Sequence, residues 1–226
     1  YCMEHIFNKK DYIYGFKLDL NLDVMFKSCI EMIEIRNSIL SHPVQNEIKK
    51  LFIAEKNKTL GLNPELDECM SYLYHWKENK GYGYINMFTY AFKEFYNLHS
   101  SIKKCFNSLI NDNENYFIDG WPNAYFKNKN DHHDWHTHYH EKLDSWHGVF
   151  YVNAQDSITR YVLPETNEIV DVECEDNVLV LVRGKGDRHR SMPWTKEDKP
   201  RVTIGLNIVP EKNINPRVWF NYWTPL

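Results

Sequence analysis

The densest run of chemically active side chains is Asp131-His132-His133-Asp134-Trp135-His136-Thr137-His138-Tyr139-His140-Glu141, with His147 shortly after. Five of the chain's 11 histidines stand in this one stretch. Neutral imidazole is the commonest protein ligand for first-row metals, so the stretch points to a metal site. The bland alternative is a solvated, His-rich loop. If His136-Thr137-His138 is extended, the two imidazoles share one face about 6.5–7 Å apart. They can then converge on one ion at ligand distances of about 2.0–2.2 Å. A third ligand must come from elsewhere. His189, in Asp187-Arg188-His189-Arg190-Ser191, is the only histidine beyond His147. It follows the apolar run Val178–Val182 and suits a ligand brought across a barrel mouth. His140 would share the face of His138 on a longer strand. His132 with Asp134 forms a second possible pair, and His147 could wall a pocket.

Arg201 and Thr203 open the strand-like run Arg201–Val209 and share one of its faces. A guanidinium grips a carboxylate through two parallel hydrogen bonds, and a hydroxyl two residues on can add a third. A surface ion pair beside a β-favouring threonine is the ordinary fate of such a pair. Trp135, Trp146 and Trp194 could keep a reactive centre dry or simply fill a core. Arg160, Arg188 and Arg190 could meet an anionic substrate or remain solvated.

The elements that must position these residues change character along the chain. Tyr12–Leu20 alternates toward its end as a strand does. Leu22 to about Leu40 carries Val24, Met25, Cys29, Ile30, Ile33 and Ile35 at helical spacing, with Asn21 as N-cap. Pro43 to about Lys56 and Asn63 to about Trp76 read as further helices, and Ile85–Ile110 as mostly helical. The polar run Asn111–Asn115 then gives way to strands: Tyr116–Ile118, Ala124–Lys127, His136–Tyr139, Gly148–Asn153, Ile158–Val162, Glu168–Val172, Val178–Val182 and Arg201–Val209. Helices first and short strands afterwards predict an α+β chain, a β-core in 113–226 with a mainly helical support region in 1–112. One-sided helices need a surface, and the β-core supplies it, so a single domain is expected.

Composition narrows the function. The 226 residues carry a net charge of −4, with 15 Tyr, 12 Phe and 7 Trp. That gives no basic footprint for nucleic acid. No apolar run is long enough to span a bilayer. The start, Tyr1-Cys2-Met3-Glu4-His5, has no signal-peptide apolar stretch and reads as an incomplete terminus. Cys2, Cys29, Cys69, Cys105 and Cys174 are scattered and odd in number, as in a reduced, cytoplasmic protein.

His136-x-His138, the strand Gly148–Asn153, distal His189 and then Arg201-x-Thr203 together resemble the iron(II)/2-oxoglutarate-dependent oxygenase superfamily. The resemblance covers about residues 121–210 and is nearest to the small phage and bacterial branch with an HxH signature. It implies a double-stranded β-helix (jelly-roll, cupin-like) core. It implies Fe(II) held by His136 and His189, with 2-oxoglutarate and O2 as co-substrates; His138, in the slot between them, is the favoured third ligand. By the same resemblance His136, His189 and Arg201 serve catalysis. Arg201 and Thr203 bind the distal carboxylate of 2-oxoglutarate, and Tyr151 lines that pocket. The implied reaction couples oxidative decarboxylation of 2-oxoglutarate to hydroxylation of an unidentified substrate. The superfamily usually places a carboxylate where this chain has His138. Three readings stay open: His138 ligates, His138 points aside, or Asp134, Glu141 or Asp144 completes the sphere. A three-His cupin-type metalloenzyme that does not use 2-oxoglutarate, and a metal-binding β-barrel without catalysis, are the competing functions.

Overall fold

Val178-Leu179-Val180-Leu181-Val182 has no polar residue, and the computed structural model shows why: the strand is covered on both faces. Leu179 and Leu181 join one apolar cluster while Val178, Val180 and Val182 join another. A strand buried on both sides loses the apolar–polar alternation of a half-solvated one. The described residues are 4–41, 86–127, 134–138, 145–184, 188–214 and 223–226. Within them, ten strands run β1 (Glu4–Lys9), β2 (Ile13–Lys17), β3 (Tyr116–Tyr125), β4 (Ser145–Asn153), β5 (Ser157–Val162), β6 (Ile169–Cys174), β7 (Val178–Gly184), β8 (Arg188–Ser191), β9 (Arg201–Pro210) and β10 (Thr224–Pro225). Two α-helices accompany them, α1 (Leu22–Ser41) and α2 (Lys93–Asn107).

The strands form a seven-stranded sheet, ordered β1-β2-β7-β4-β9-β3-β10, and a three-stranded sheet, ordered β6-β5-β8. Neighbouring strands pair antiparallel throughout. From β3 onward the chain winds between the two sheets. His136 pairs with His189 at the edge of the small sheet, β4 returns to the large one, and β5 and β6 lie in the small one. Then β7, β8 and β9 alternate between large, small and large. This winding is the jelly-roll, or double-stranded β-helix, and with the helices it makes the fold α+β.

Strand parity sorts the side chains of the large sheet. Trp146, Phe150 and Val152 of β4 and Val202, Ile204, Leu206 and Ile208 of β9 face the helices. There they meet Met25, Cys29 and Met32 of α1 and Phe95, Leu98, Ile102 and Cys105 of α2, spaced to form one stripe on each helix. The opposite parity, His147, Val149 and Tyr151 with Arg201, Thr203, Gly205 and Asn207, faces the small sheet. Every chemically active residue of β4 and β9 is on that inner face.

Several expectations are met and some are corrected. Asn21 caps α1, its Oδ1 accepting from the Val24 amide at 3.2 Å. The expected strands Tyr116–Ile118 and Ala124–Lys127 are one strand, β3, continuous through Pro122, which pairs with Ile204. Among the described residues β10 covers only Phe117 and Ile118 on the outer side of β3. The missing proline N–H therefore falls on an edge that needs no donor. The helix expected over Ile85–Ile110 is broken. Met87–Thr89 is a 3₁₀ turn, and Tyr90 and Phe92 are extended before α2 begins. Asn86 enforces the break: its Nδ2 donates to the Ile118 carbonyl and its Oδ1 accepts from Gly120 N–H, anchoring the turn to β3. Of the strand expected over His136–Tyr139, only His136 is bridged within the described residues, and Tyr139 lies outside them. β1, β8 and β10 were not delimited by the sequence. The helices expected over 43–56 and 63–76 lie outside the described residues. No helix among the described residues is long and apolar enough to cross a membrane.

Gly148 lies on the helix-facing side of β4, where a Cβ would stand 2.6 Å from the Val180 carbonyl oxygen and 2.9 Å from Leu181. A backbone oxygen cannot swing aside. Gly148→Val is therefore expected to destabilise the fold by about 1–3 kcal/mol, read as a lower urea midpoint at unchanged slope.

Candidate metal centre and anion subsite

The centre is built where the small sheet's edge meets the inner face of the large one. His136 and His189 face each other as an antiparallel pair. The His136 amide donates to the His189 carbonyl at 3.1 Å and the His189 amide returns the bond at 3.0 Å. Paired strand residues place their side chains alongside one another, and the two rings lie 4.3 Å apart between centroids. Thr137 is exposed while His136 and His138 are half-buried. His138 turns to the same side as His136, with ring centroids 5.4 Å apart, and lies 4.9 Å from His189. One ring nitrogen from each of His136, His138 and His189 lies within 4.8 Å of the others, a grouping that could hold one metal ion.

The rings are held from behind. The His136 Nδ1 donates to the backbone carbonyl of Asp134 at 2.8 Å, and His138 Nδ1 meets Asn207 Oδ1 at 2.6 Å. Trp121 stacks on His138 at 5.8 Å between centroids. Gly205, its cross-strand partner, makes room, because a Cβ there would lie 2.9–3.1 Å from the indole. His147, on β4, is fully buried and nearly parallel to both His138 (17°) and His189 (11°). Burial first, then the neighbouring imidazoles of His138 and His136, pushes its pKa well below the usual histidine value. His147 is therefore a neutral wall of the cluster.

A second polar subsite lies further along the inner face. Arg201 is 2 % exposed, and the polar side-chain atoms it meets among the described residues are all neutral. Its Nε donates to Ser157 Oγ at 3.0 Å and its Nη2 to Thr159 Oγ1 at 3.4 Å, beside the Cys174 sulfur at 3.6 Å. The rings of Tyr125 and Tyr151 flank it at 5.8 and 5.9 Å. Arg201 makes no ion pair among the described residues. Tyr151 is fully buried and donates to Thr159 Oγ1 at 3.0 Å. Burial drives its pKa well above the usual tyrosine value, Cys174 and Tyr161 adding to the rise, and Thr159 and Arg201 opposing it. Thr203 sits beside Tyr151 and Asn123 in register, on the same face as Arg201.

Strand β5 joins the two subsites. Thr159 reaches Arg201, while Tyr161 is the cross-strand partner of His189 and its ring lies 5.5 Å from that imidazole. Residues two apart on one strand face are about 6.5–7 Å apart, so the arginine and the imidazole cluster meet successive positions of one strand face.

The structure thus brings together His136, His138 and His189, and Arg201 with Tyr151 and Thr203. The Asp134 side chain is exposed, and this residue enters only through its carbonyl. His132, His140, Glu141 and Asp144 lie outside the described residues. Trp146 does not wall the centre: it lies on the helix side, packed on Phe106 and Tyr14, because its parity on β4 is opposite to that of His147. Arg160 is engaged by Asp171 through bonds of 2.7 and 2.8 Å, and Arg190 lies over the Trp135 ring at 4.7 Å. Trp121, Ser157, Thr159, Tyr161 and Asn207 were not singled out from sequence. Asn207 alone had a local signal, sharing the parity of Arg201 and Thr203.

No family profile matches this sequence, and no curated protein is similar to it. Solved structures with a similar arrangement include a Pseudomonas putida prolyl-4-hydroxylase (11% identity, TM-score 0.44, covering 66% of this chain and 82% of that one). A nickel complex of the non-heme monooxygenase ThoJ gives 13% and 0.43, over 65% of this chain and 67% of that one. Apo HygX from Streptomyces hygroscopicus gives 11% and 0.44, over 64% and 78%. At these levels the functional reading rests on the geometry of this chain.

Gly205→Ala is expected to push the Trp121 indole away from His138. Near-UV circular dichroism should change and stability fall by about 1–3 kcal/mol. In a Trp121→Leu background the same glycine change should cost clearly less, the non-additivity of residues in contact.

Proposed function

We propose that this protein is an iron(II)/2-oxoglutarate-dependent oxygenase that hydroxylates a second substrate. The observation that carries the reading is Arg201. Among the described residues this buried cation meets only two hydroxyls and a thiol, which leaves its charge unmatched there, a costly arrangement for folding alone. It is explained if a carboxylate enters to complete it. Arg201 and Thr203 would hold the distal carboxylate of 2-oxoglutarate, with Tyr151, Ser157 and Thr159 lining its seat. The other end of the molecule would then reach the histidines.

The residues fit the metal as well. His136, His138 and His189 offer three neutral nitrogen donors on one side, which suits Fe(II) or a similar first-row ion. When bound, Fe(II) with 2-oxoglutarate supplies O2 activation, the conversion of 2-oxoglutarate to succinate and CO2 being coupled to hydroxylation. The chain's own part is to orient and to exclude water. His147, Tyr161 and Trp121 wall the histidines with rings, and Val149, Val180 and Val182 floor the space between the sheets, so few waters compete at the reacting centre. A three-His metalloenzyme that does not use 2-oxoglutarate is the second reading. It is favoured by His138, which stands where the superfamily usually has an acid.

Anaerobic titration separates the two. Wild-type protein with Fe(II) is expected to develop a weak visible charge-transfer band on adding 2-oxoglutarate. Bound iron with no band selects the second reading. His189→Ala should abolish tight iron binding. Arg201→Met should keep iron, lose the band, and match or exceed wild-type stability without ligand, because it removes an unmatched buried charge. In wild type with metal, 2-oxoglutarate at a hundredfold excess over Kd should add about 2.7 kcal/mol, and Arg201→Met should show no such gain.

A further inference from the structure

We infer that Asn207 is a positioning residue for the metal site, whose side-chain carbonyl holds His138 in the tautomer that presents its Nε2 lone pair to the cluster. The inference rests on the reading that His136, His138 and His189 hold a metal.

A neutral imidazole has one N–H and one lone pair, and only the lone pair can ligate. Whatever meets one ring nitrogen therefore decides what the other can do. His138 Nδ1 lies 2.6 Å from Asn207 Oδ1. An amide oxygen carries no hydrogen, so the proton sits on Nδ1 and Nε2 is left as the donor to a metal. His136 is set the same way, but by the main-chain carbonyl of Asp134 at 2.8 Å. One ligand's tautomer is thus written into the backbone, and the other depends on a single replaceable side chain.

Asn207 has little freedom to do anything else. It is 9 % exposed. On β9 it lies in register between Asp119 of β3 and His147 of β4, and the Trp121 ring packs on the other partner of the bond, His138. The pairing also makes sense of the unusual residue at position 138. An imidazole ligand with its proton on Nδ1 needs an acceptor behind it, and Asn207 Oδ1 provides one. His138 is accordingly oriented as a ligand and does not point aside.

The test reads tautomer and metal affinity, not turnover. In metal-free protein the 15N shifts of the His138 ring should report the Nδ1–H form in wild type and in Asn207→Asp, which keeps an acceptor oxygen. Asn207→Leu, of similar size but without an acceptor, should lose that preference. Co(II) affinity should fall about 10- to 100-fold in Asn207→Leu, the usual cost of removing a group that orients a ligand. In Asn207→Asp it should stay within about threefold of wild type. If a second carboxylate in register with Asp119 keeps Asn207→Asp from folding, the double variant Asp119→Asn/Asn207→Asp carries the same comparison. Unchanged His138 tautomer and unchanged cobalt affinity in folded Asn207→Leu would overturn the inference while leaving the metal site standing. Wild-type cobalt affinity in His136→Ala and His189→Ala would remove the metal reading itself, and this inference with it.

Discussion

Two backbone hydrogen bonds hold the centre of this molecule together. The amides and carbonyls of His136 and His189 pair with each other, 53 residues apart in the chain, and so fasten the segment after β3 to the edge of the small sheet. The bonds are ordinary ladder bonds, each of modest net stabilisation. Their importance is geometric: a cross-strand pair fixes two side chains side by side more firmly than loop packing would. His138, two residues on, turns its ring to the same side, 5.4 Å from that of His136. Without that pair the three imidazoles have no common reference.

The inner face of the large sheet supplies the rest by strand parity. On β9, Val202, Ile204, Leu206 and Ile208 fill the helix-facing core while Arg201, Thr203, Gly205 and Asn207 line the interior. One strand therefore carries a buried arginine at its start, a gap for an indole in its middle and an imidazole's hydrogen-bond partner beyond. The strand is buried along its whole length, so each polar side chain retained there is costly unless it finds a partner.

Much of this was legible in the chain, for identifiable reasons. The α1 start was readable because an N-cap is local: Asn21 acts on a residue three positions away. The strands β4, β5, β7 and β9 were readable because their apolar residues run on or alternate, and turn residues such as Asp156 and Asn177, both in the left-handed region, bound them. The continuity of β3 was not, because Gly120-Trp121-Pro122 reads as a turn until the neighbours are known. An edge position tolerates proline and a glycine admits the Phe88 ring, and both are tertiary facts. The break before α2 was hidden for the same reason, since Asn86 is held by β3 and not by its own segment.

For the site, the sequence by itself determined the types of donor and their order: a histidine pair at 136 and 138, a lone distal histidine at 189, then an arginine at 201. It could do so because two-residue periodicity is a local property of an extended chain. The tertiary structure alone decided which histidines meet, that Arg201 is buried against Ser157, Thr159 and Cys174, and that Asn207 and Trp121 seat His138. These depend on register between strands distant in sequence. A one-residue slip in that register would turn each of these side chains to the opposite face.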